Sequence, residues 1–355
     1  LTRGHYATDA SIYELEPLGV VFPASADDVS AVMAVARREG VPVLPRGAGT
    51  SQCGQTVGHA IVVDTSRVLN RVLSVDETER RVVVEPGIVL EQLNAALAPH
   101  GLFFPIDVAT ANRATLGGMA GNNSGGARSI RYGIMADNVL EIEAELPDGR
   151  VVSFGPDRSL TGAPELRVAI DDIVRREAEE LGRRVPKVLR PVAGYGLHRL
   201  LEDGASMAEL LVGSEGTLAY FRSLTLELQQ RPSFRVLGVC GFPSLVAAMD
   251  AVQHLAPLGP HAIELMDRSL LTLARENREF RATVEHFVPT GADTVLLVEF
   301  AGDDPSGLSG ALTQLNEAVR SLEAGASVTR AESAGEQARI WAVRRASLSI
   351  AMSTK

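Results

Sequence analysis

The chain has 355 residues, 45% of them hydrophobic and 22% charged, which predicts two or three domains with substantial cores. A net charge of −10 excludes nucleic acid as the main partner, while leaving room for a phosphate-bearing cofactor held by backbone N–H groups. Cys53 and Cys240 are the two cysteines and make no disulfide framework or metal spacing, and no apolar run reaches the ~18 residues of a membrane span.

The first clear element is a helix over 25–40. Ser25 and Asp28 form a capping box, Val29, Val32, Met33 and Ala36 make one apolar face, and Gly40 stops it. A strand follows at 41–44, then the loop "RGAGTSQCGQ" (46–55) and a strand at 61–64. "RRVVVEPG" (80–87) is a strand broken by Pro86-Gly87, and 89–101 is a helix with Val89, Leu93 and Leu97 inward. Residues 103–133 are glycine-rich with little periodicity, yet hold enough apolar side chains to be ordered. "NVLEIEAELPDGRVVSF" (138–154) is a hairpin turning at Pro147-Asp148-Gly149.

Residues 156–200 read as an insertion carrying a helix over 169–182. Strands are predicted at 209–213 and 223–230, and the texture changes at 229–233. Beyond that boundary come strand 234–242, helix 244–255, strand 262–267, a helix running through Arg281, strand 293–302, helix 306–323, strand 327–331 and helix 335–350. Such alternation predicts an α+β, ferredoxin-like layer with an antiparallel sheet. The opening "LTRGHYATDAS" and the closing "RRASLSIAMSTK" both read as the middle of a longer polypeptide.

Three segments carry the candidate chemistry. The loop 46–55 follows a strand and is built of small residues, so consecutive N–H groups can form an anion nest, or simply a tight turn. It matches neither the dinucleotide fingerprint nor the Gly-Lys-Ser/Thr triplet of a nucleotide-binding P-loop. "ATLGGMAGNNSGG" (114–126) lets backbone approach a planar or phosphorylated ligand, with Thr115, Asn122, Asn123 and Ser124 as polar groups; the alternative is a glycine-rich crossover packed on its own domain. "GSEGTLAYF" (213–221) is on its own a bulge or turn.

Taken together, "PRGAGTS", "VVVEPG", "FPID…ATLGGMAGNNSGG…YG", "NVLEIEAELPDG" and "VGSEGTL" resemble the FAD-binding domain of the vanillyl-alcohol oxidase/p-cresol methylhydroxylase (PCMH) superfamily. Within it the chain is most similar to the D-2-hydroxyacid dehydrogenase branch of glycolate oxidase D-subunit, D-lactate dehydrogenase and D-2-hydroxyglutarate dehydrogenase. "YATDAS" (6–11), "NNSGGARS" and "RPVAGYGL" resemble the large bacterial members in which an iron–sulfur portion follows. The implied fold is α+β, with a two-subdomain PCMH-type FAD-binding domain over 1–230 (insertion about 156–200). A substrate or cap domain over 231–355, incomplete at its C-terminus, completes it. The resemblance assigns FAD binding to Arg46, Gly47, Gly49, Thr50, Ser51, Gln55, Pro105, Thr115, Gly117, Gly118, Asn122, Ser124, Gly125, Gly126, Gly133, Glu215 and Gly216. Thr50 stands where covalent members often carry His, which implies non-covalent FAD. Cys53 reads as a small filler in that wall.

The implied reaction is dehydrogenation of a 2-hydroxy acid to the 2-oxo acid, with electrons passed to an iron–sulfur portion, a quinone or a flavoprotein carrier. The family's Trp-x-x-Arg motif matches Trp341 and Arg344, whose guanidinium suits the substrate carboxylate; from the residues alone, a solvated helix face is the competing reading. The family's His-rich metal motif and general base have no counterpart, because the seven histidines are scattered; His198 reads as structural. A divalent metal or an iron–sulfur cluster is expected only in sequence beyond residue 355. The chain is expected in the cytoplasm or peripherally at the inner membrane. An FAD-linked oxidase of a sugar or aldonolactone, and a non-catalytic nucleotide-binding fragment, are the alternative functions.

Overall fold

The fold is described from a computed structural model that covers residues 1–323 and 325–352, with side chains described as far as Ala346. The chain divides into two compact units. One comprises 1–126 and 133–231; the other comprises 127–132 and 232–355. The glycine-rich run thus contributes a short piece to the second unit, a placement that no local pattern in the sequence signals.

Among the described residues the first unit contains two larger sheets and the two-stranded pair Leu102–Phe103 and Gln229–Gln230. A three-stranded parallel sheet has the order Gly19–Val21, Ile61–Asp64, Val43–Arg46. Helix Ala26–Glu39 makes its crossover, held by the expected Ser25/Asp28 capping box and stopped by left-handed Gly40. A six-stranded antiparallel sheet runs Val72–Asp76, Arg81–Val84, Tyr220–Glu227, Val139–Glu145, Val151–Phe154, Leu160–Thr161. Its main core gathers Leu93 and Leu97 of helix Leu90–Leu97, Leu116 and Met119 of helix Leu116–Asn122, and Leu224 and Leu226 of the central strand. Each such fully buried side chain contributes roughly 1.5–3 kcal/mol of transfer free energy.

The second unit is a four-stranded antiparallel sheet in the order Ala262–Met266, Thr294–Gly302, Phe234–Phe242, Ser327–Ala331. Helices Leu245–Leu255 and Pro305–Leu322 give the strand–helix–strand–strand–helix–strand order of a ferredoxin-like layer and pack on one face. Ile340 and Val343 of helix Ala334–Met352 pack on the other, with Leu271 and Val284 of helices Arg268–Glu276 and Arg281–Phe287.

Several expectations need correction. The predicted strand at 209–213 is instead the short helix Ala208–Leu211, because Leu210, Leu211 and Val212 are buried on all sides and offer no alternation. The helix expected through Arg281 is two helices, Arg268–Glu276 and Arg281–Phe287, broken where Asn277 is extended. The insertion helix divides at Glu177 into Pro164–Arg176 and Ala178–Arg184. The helix placed at 89–101 ends at Leu97, and Pro99 lies in the tighter turn that follows it. Cys53 is exposed and fills no wall.

Candidate cofactor and substrate sites

The first unit brings the three glycine segments together. The strand Val43–Arg46 runs into a turn at Gly47 to Gly49, where Gly49 takes a φ of +66°. A Cβ on Gly47 would stand 2.1 Å from Thr115 Oγ1, so the loop meets the second segment at a distance only glycine permits. Thr115 in turn caps helix Leu116–Asn122 by accepting from the Gly118 N–H at 3.3 Å. The third segment docks on the same helix, with Gly213 N–H donating to the Ala120 carbonyl and Glu215 N–H to that of Gly121, both at 2.9 Å. Glu215 adopts the left-handed region at φ +52°, and its carboxylate accepts from Gln55 Nε2 at 3.4 Å. Burial raises the Glu215 pKa, and the Gln55 contact opposes the rise.

Glycines of the three segments serve in two ways, and one of them, Gly121, was not among the predicted site residues. Gly117, Gly126 and Gly216 serve the packing of segment on segment: added Cβ atoms would meet Pro86, Asp107 and Pro45 at 2.6, 2.1 and 3.3 Å. Gly118 and Gly121 leave a face of helix Leu116–Asn122 open; a Cβ on Gly118 would meet only Thr115 Oγ1 at 3.1 Å, and one on Gly121 nothing within 4 Å. Their three-residue spacing puts them on one side of the helix, a signal present in the sequence and overlooked there. Asn122 donates to Ser124 Oγ at 3.0 Å beside this face, followed by half-buried Gly125. Thr50 and Ser51 are half-buried in the first loop.

Three predicted residues do other work. Arg46 is buried and donates to the carbonyls of Tyr6, Thr56 and Thr8 at 3.2, 3.0 and 2.8 Å, with its guanidinium over the Tyr6 ring. It pins residues 6–8 to the loop. The Ala10 N–H to Gly49 carbonyl bond and the Thr56–Asp9 hydrogen bond complete the attachment. Tyr6 donates to Asp64, and burial together with that carboxylate pushes its pKa up to about 12. Pro105 is buried between the core residues Phe104 and Ile106. Gly133, at φ +73°, turns the chain against Asp137, where a Cβ would meet Oδ2 at 2.2 Å.

In the second unit, Arg344 does not decorate a solvated face. Its Nε and Nη2 both lie 2.6 Å from Glu264 Oε1, whereas Arg345 points outward. Glu264, on the strand Ala262–Met266, had no sequence signal; only sheet packing sets it beside a helix residue 80 positions away. Trp341 lies three residues before Arg344 with its Nε1 buried and without a hydrogen-bond partner. His198 is lowered in pKa by burial, and among the described residues no group of His, Cys, Asp and Glu forms a metal site. No helix among the described residues is long and apolar enough to cross a membrane.

Comparison with known proteins accords with this geometry. Residues 17–155 match an FAD binding domain and residues 231–355 the C-terminal domain of FAD-linked oxidases. The chain belongs to the FAD-linked oxidases, and the cofactor of its first unit is FAD. It is 34% identical to a D-2-hydroxyglutarate dehydrogenase of Pseudomonas putida over 98% of this chain and 37% of that protein. It is 28% identical to a mitochondrial cytochrome D-lactate dehydrogenase of Arabidopsis thaliana over 93% of this chain and 49% of that one. A glycolate oxidase subunit GlcD of Bacillus subtilis is 27% identical over 84% of the chain and 54% of the relative. The chain thus spans about a third to a half of the length of these relatives. A solved alkyldihydroxyacetonephosphate synthase shares the fold at a TM-score of 0.67 and 19% identity, over 93% of this chain and 55% of that one.

The residues present fit FAD. Gly118 and Gly121 leave helix backbone open to a flat ring or a pyrophosphate, while the amide and hydroxyl groups of Asn122, Ser124, Thr50 and Ser51 sit on the converging segments.

Proposed function

We propose that this protein oxidises a D-2-hydroxy acid to the corresponding 2-oxo acid. The observation that carries the reading is Arg344, a guanidinium held in place by Glu264 within an FAD-linked oxidase C-terminal domain, on a chain whose other unit is an FAD binding domain. The relatives named for D-2-hydroxyglutarate, D-lactate and glycolate support the substrate class.

FAD, when bound, supplies the two-electron acceptor for the hydride leaving the substrate α-carbon. The chain's own residues have three tasks. Arg344 binds the substrate carboxylate by its planar fork and so fixes the hydroxyl-bearing carbon. Glu264 keeps that fork in one orientation. The converging segments around Thr115, Gln55 and Glu215 hold the cofactor without a covalent link, since Thr50 offers no imidazole. The hydroxyl proton goes to a base that we place outside these 355 residues, because His198, the histidine nearest a motif, is a weaker base than usual, its pKa lowered by burial and by Arg199. The electron acceptor, an iron–sulfur portion, quinone or flavoprotein carrier, is placed there too. We assign the protein to the cytoplasm or the inner-membrane surface.

The test is anaerobic titration of the full-length, FAD-loaded protein with D-lactate, D-2-hydroxyglutarate and glycolate, following the flavin band. Bleaching by at least one acid is expected, and Arg344→Ala should raise the acid concentration needed at least tenfold with FAD retained. A flavin untouched by all of them refutes the reading.

A further inference from the structure

The three segments that build the cofactor cradle carry almost no charge of their own. Over 46–55, 114–126 and 213–221 there is one cation, Arg46, and one acid, Glu215. Arg46 is engaged by the carbonyls of Tyr6, Thr8 and Thr56. A second guanidinium reaches the cradle from the insertion. Residues 185–195 form neither helix nor strand and run beside these segments as a strap. Arg190 Nη1 donates at 3.3 Å to the carbonyl of Gly126, at the end of the glycine-rich stretch 114–126. Five residues on, Tyr195 donates its hydroxyl to Thr217 Oγ1 at 2.9 Å, since that oxygen gives its own hydrogen to the Ser214 carbonyl at 2.6 Å. Between the two, the Gly194 carbonyl lies 3.3 Å from where a Cβ on Gly213 would stand. The strap is thus tied to the second and third segments at once, while its side chains Val188, Leu189 and Val192 are exposed.

Arg190 has the attributes of an anion ligand. It is exposed, and its bond to Gly126 uses one donor of the guanidinium, leaving the rest of the fork without a protein partner among the described residues. The stretch 181–201 around it contains no Asp or Glu, so no carboxylate nearby in the chain competes for the charge. The diphosphate of FAD is an anion, whereas its flavin and adenine rings are neutral. Glycines bring backbone N–H groups close to such an anion but add no net charge, so the counter-charge must come from outside the glycine segments. We propose that Arg190 is a cofactor-binding residue whose guanidinium takes the diphosphate of FAD, carried to the cradle by the strap 190–195. This rests on the placing of FAD against the three glycine segments. A planar fork meets two phosphate oxygens at once, which a point charge cannot do.

The competing role for Arg190 is a latch that merely ties the strap to Gly126, and the phosphates separate the two. In the full-length protein stripped of FAD, flavin fluorescence follows the binding of FAD and of riboflavin, which lacks phosphate. Arg190→Gln should weaken FAD roughly tenfold or more, as loss of a charge-assisted hydrogen bond does, and leave riboflavin within about twofold. Arg190→Lys should recover part of the loss. The wild-type advantage over Arg190→Gln should shrink as salt rises from about 0.05 M to about 1 M, because screening shortens the reach of the charge. Tyr195→Phe slackens the strap and keeps the charge, so it should weaken both ligands alike. A latch predicts that FAD and riboflavin fall together in Arg190→Gln at every salt concentration. That outcome, or an unchanged FAD affinity, overturns the assignment. Modification of wild type with phenylglyoxal needs no variant: ADP should protect Arg190 and adenosine should not, whereas equal protection or none overturns the assignment too. It decides alone if Arg190→Gln fails to fold or riboflavin binds too weakly to measure. Gly121→Ala tests the placing of FAD separately. An FAD affinity that survives both Gly121→Ala and Arg190→Gln moves the cofactor off the glycine segments, and one that survives Arg190→Gln alone removes only Arg190.

Discussion

Arg46 illustrates how a residue in a recognisable motif serves its site indirectly. Its guanidinium satisfies the carbonyls of Tyr6, Thr8 and Thr56 and stacks on Tyr6, so it shapes the loop that the neighbouring glycines then use. Arg46→Met keeps the length and apolar stem but removes the donors. It should destabilise the protein by about 2–4 kcal/mol, by the cost of stranding buried acceptors, read as a lower urea midpoint, and it should release residues 6–10 to proteolysis. His261 gives a pH prediction at the same scale. Burial, reinforced by Arg131, holds its pKa below the ordinary value of 6.5, with Glu299 opposing. The unfolded chain therefore takes up a proton first, and the stabilisation present above pH 6.5 is lost as the pH falls through that value towards the folded pKa. His198, also lowered by burial, acts with the same sign. In His261→Asn, whose amide oxygen can still accept the Ala301 N–H, the loss of thermal stability between pH 7 and 5 should be smaller. An unchanged slope would remove His261 from the account.

Helix Leu116–Asn122 shows what the glycines of one element are for. Gly117 is pressed against Pro86, where a Cβ would come within 2.6 Å of that residue's Cβ and 2.9 Å of its carbonyl oxygen. Gly117→Ala should force the helix off its seat, costing about 1–3 kcal/mol as overpacking does, and should lower FAD occupancy of the purified protein. Gly121 faces open space, so Gly121→Ala should stabilise the cofactor-free protein by up to roughly 1 kcal/mol through helix propensity. The same substitution should weaken FAD binding, because the new methyl group stands on the open face. Calorimetry of the apo-protein and the flavin-to-protein absorbance ratio check the pair; FAD affinity unaffected by Gly121→Ala would move the cofactor off this face. The helix itself was hidden in the sequence because its glycines and amides have low helical propensity. Thr115 supplies the cap and the core supplies Leu116 and Met119, which tertiary packing alone makes decisive.

At the scale of the whole molecule, the transfer of residues 127–132 to the second unit has a measurable consequence. A fragment of residues 232–355 contains buried Glu299 and lacks Arg128, which donates to it in the full chain. It should melt lower than the same fragment carrying residues 127–132 on a flexible linker, and Glu299→Gln should raise the fragment's melting temperature while lowering that of the full chain. Opposite signs in those two backgrounds would be hard to obtain from any role confined to the strand itself.

The strands of the second unit, its helices apart from the break at Asn277, the capping box at Ser25, and the three glycine segments were legible in order along the chain, because each rests on periodicity, capping or punctuation within a dozen residues. The FAD-linked oxidase family was legible in the joint order of those segments. What the chain order did not contain was which glycines press against a neighbouring segment and which face open space. Nor did it contain the turning of Arg46 to an N-terminal carbonyl cluster, or the pairing of Arg344 with Glu264 and Arg128 with Glu299. Those contacts join residues from 38 to 171 positions apart, and only sheet register and helix docking set such distances. Local sequence therefore determined the elements and the family of site they build, whereas the tertiary structure decided which glycines leave backbone open and which charges meet across the second unit.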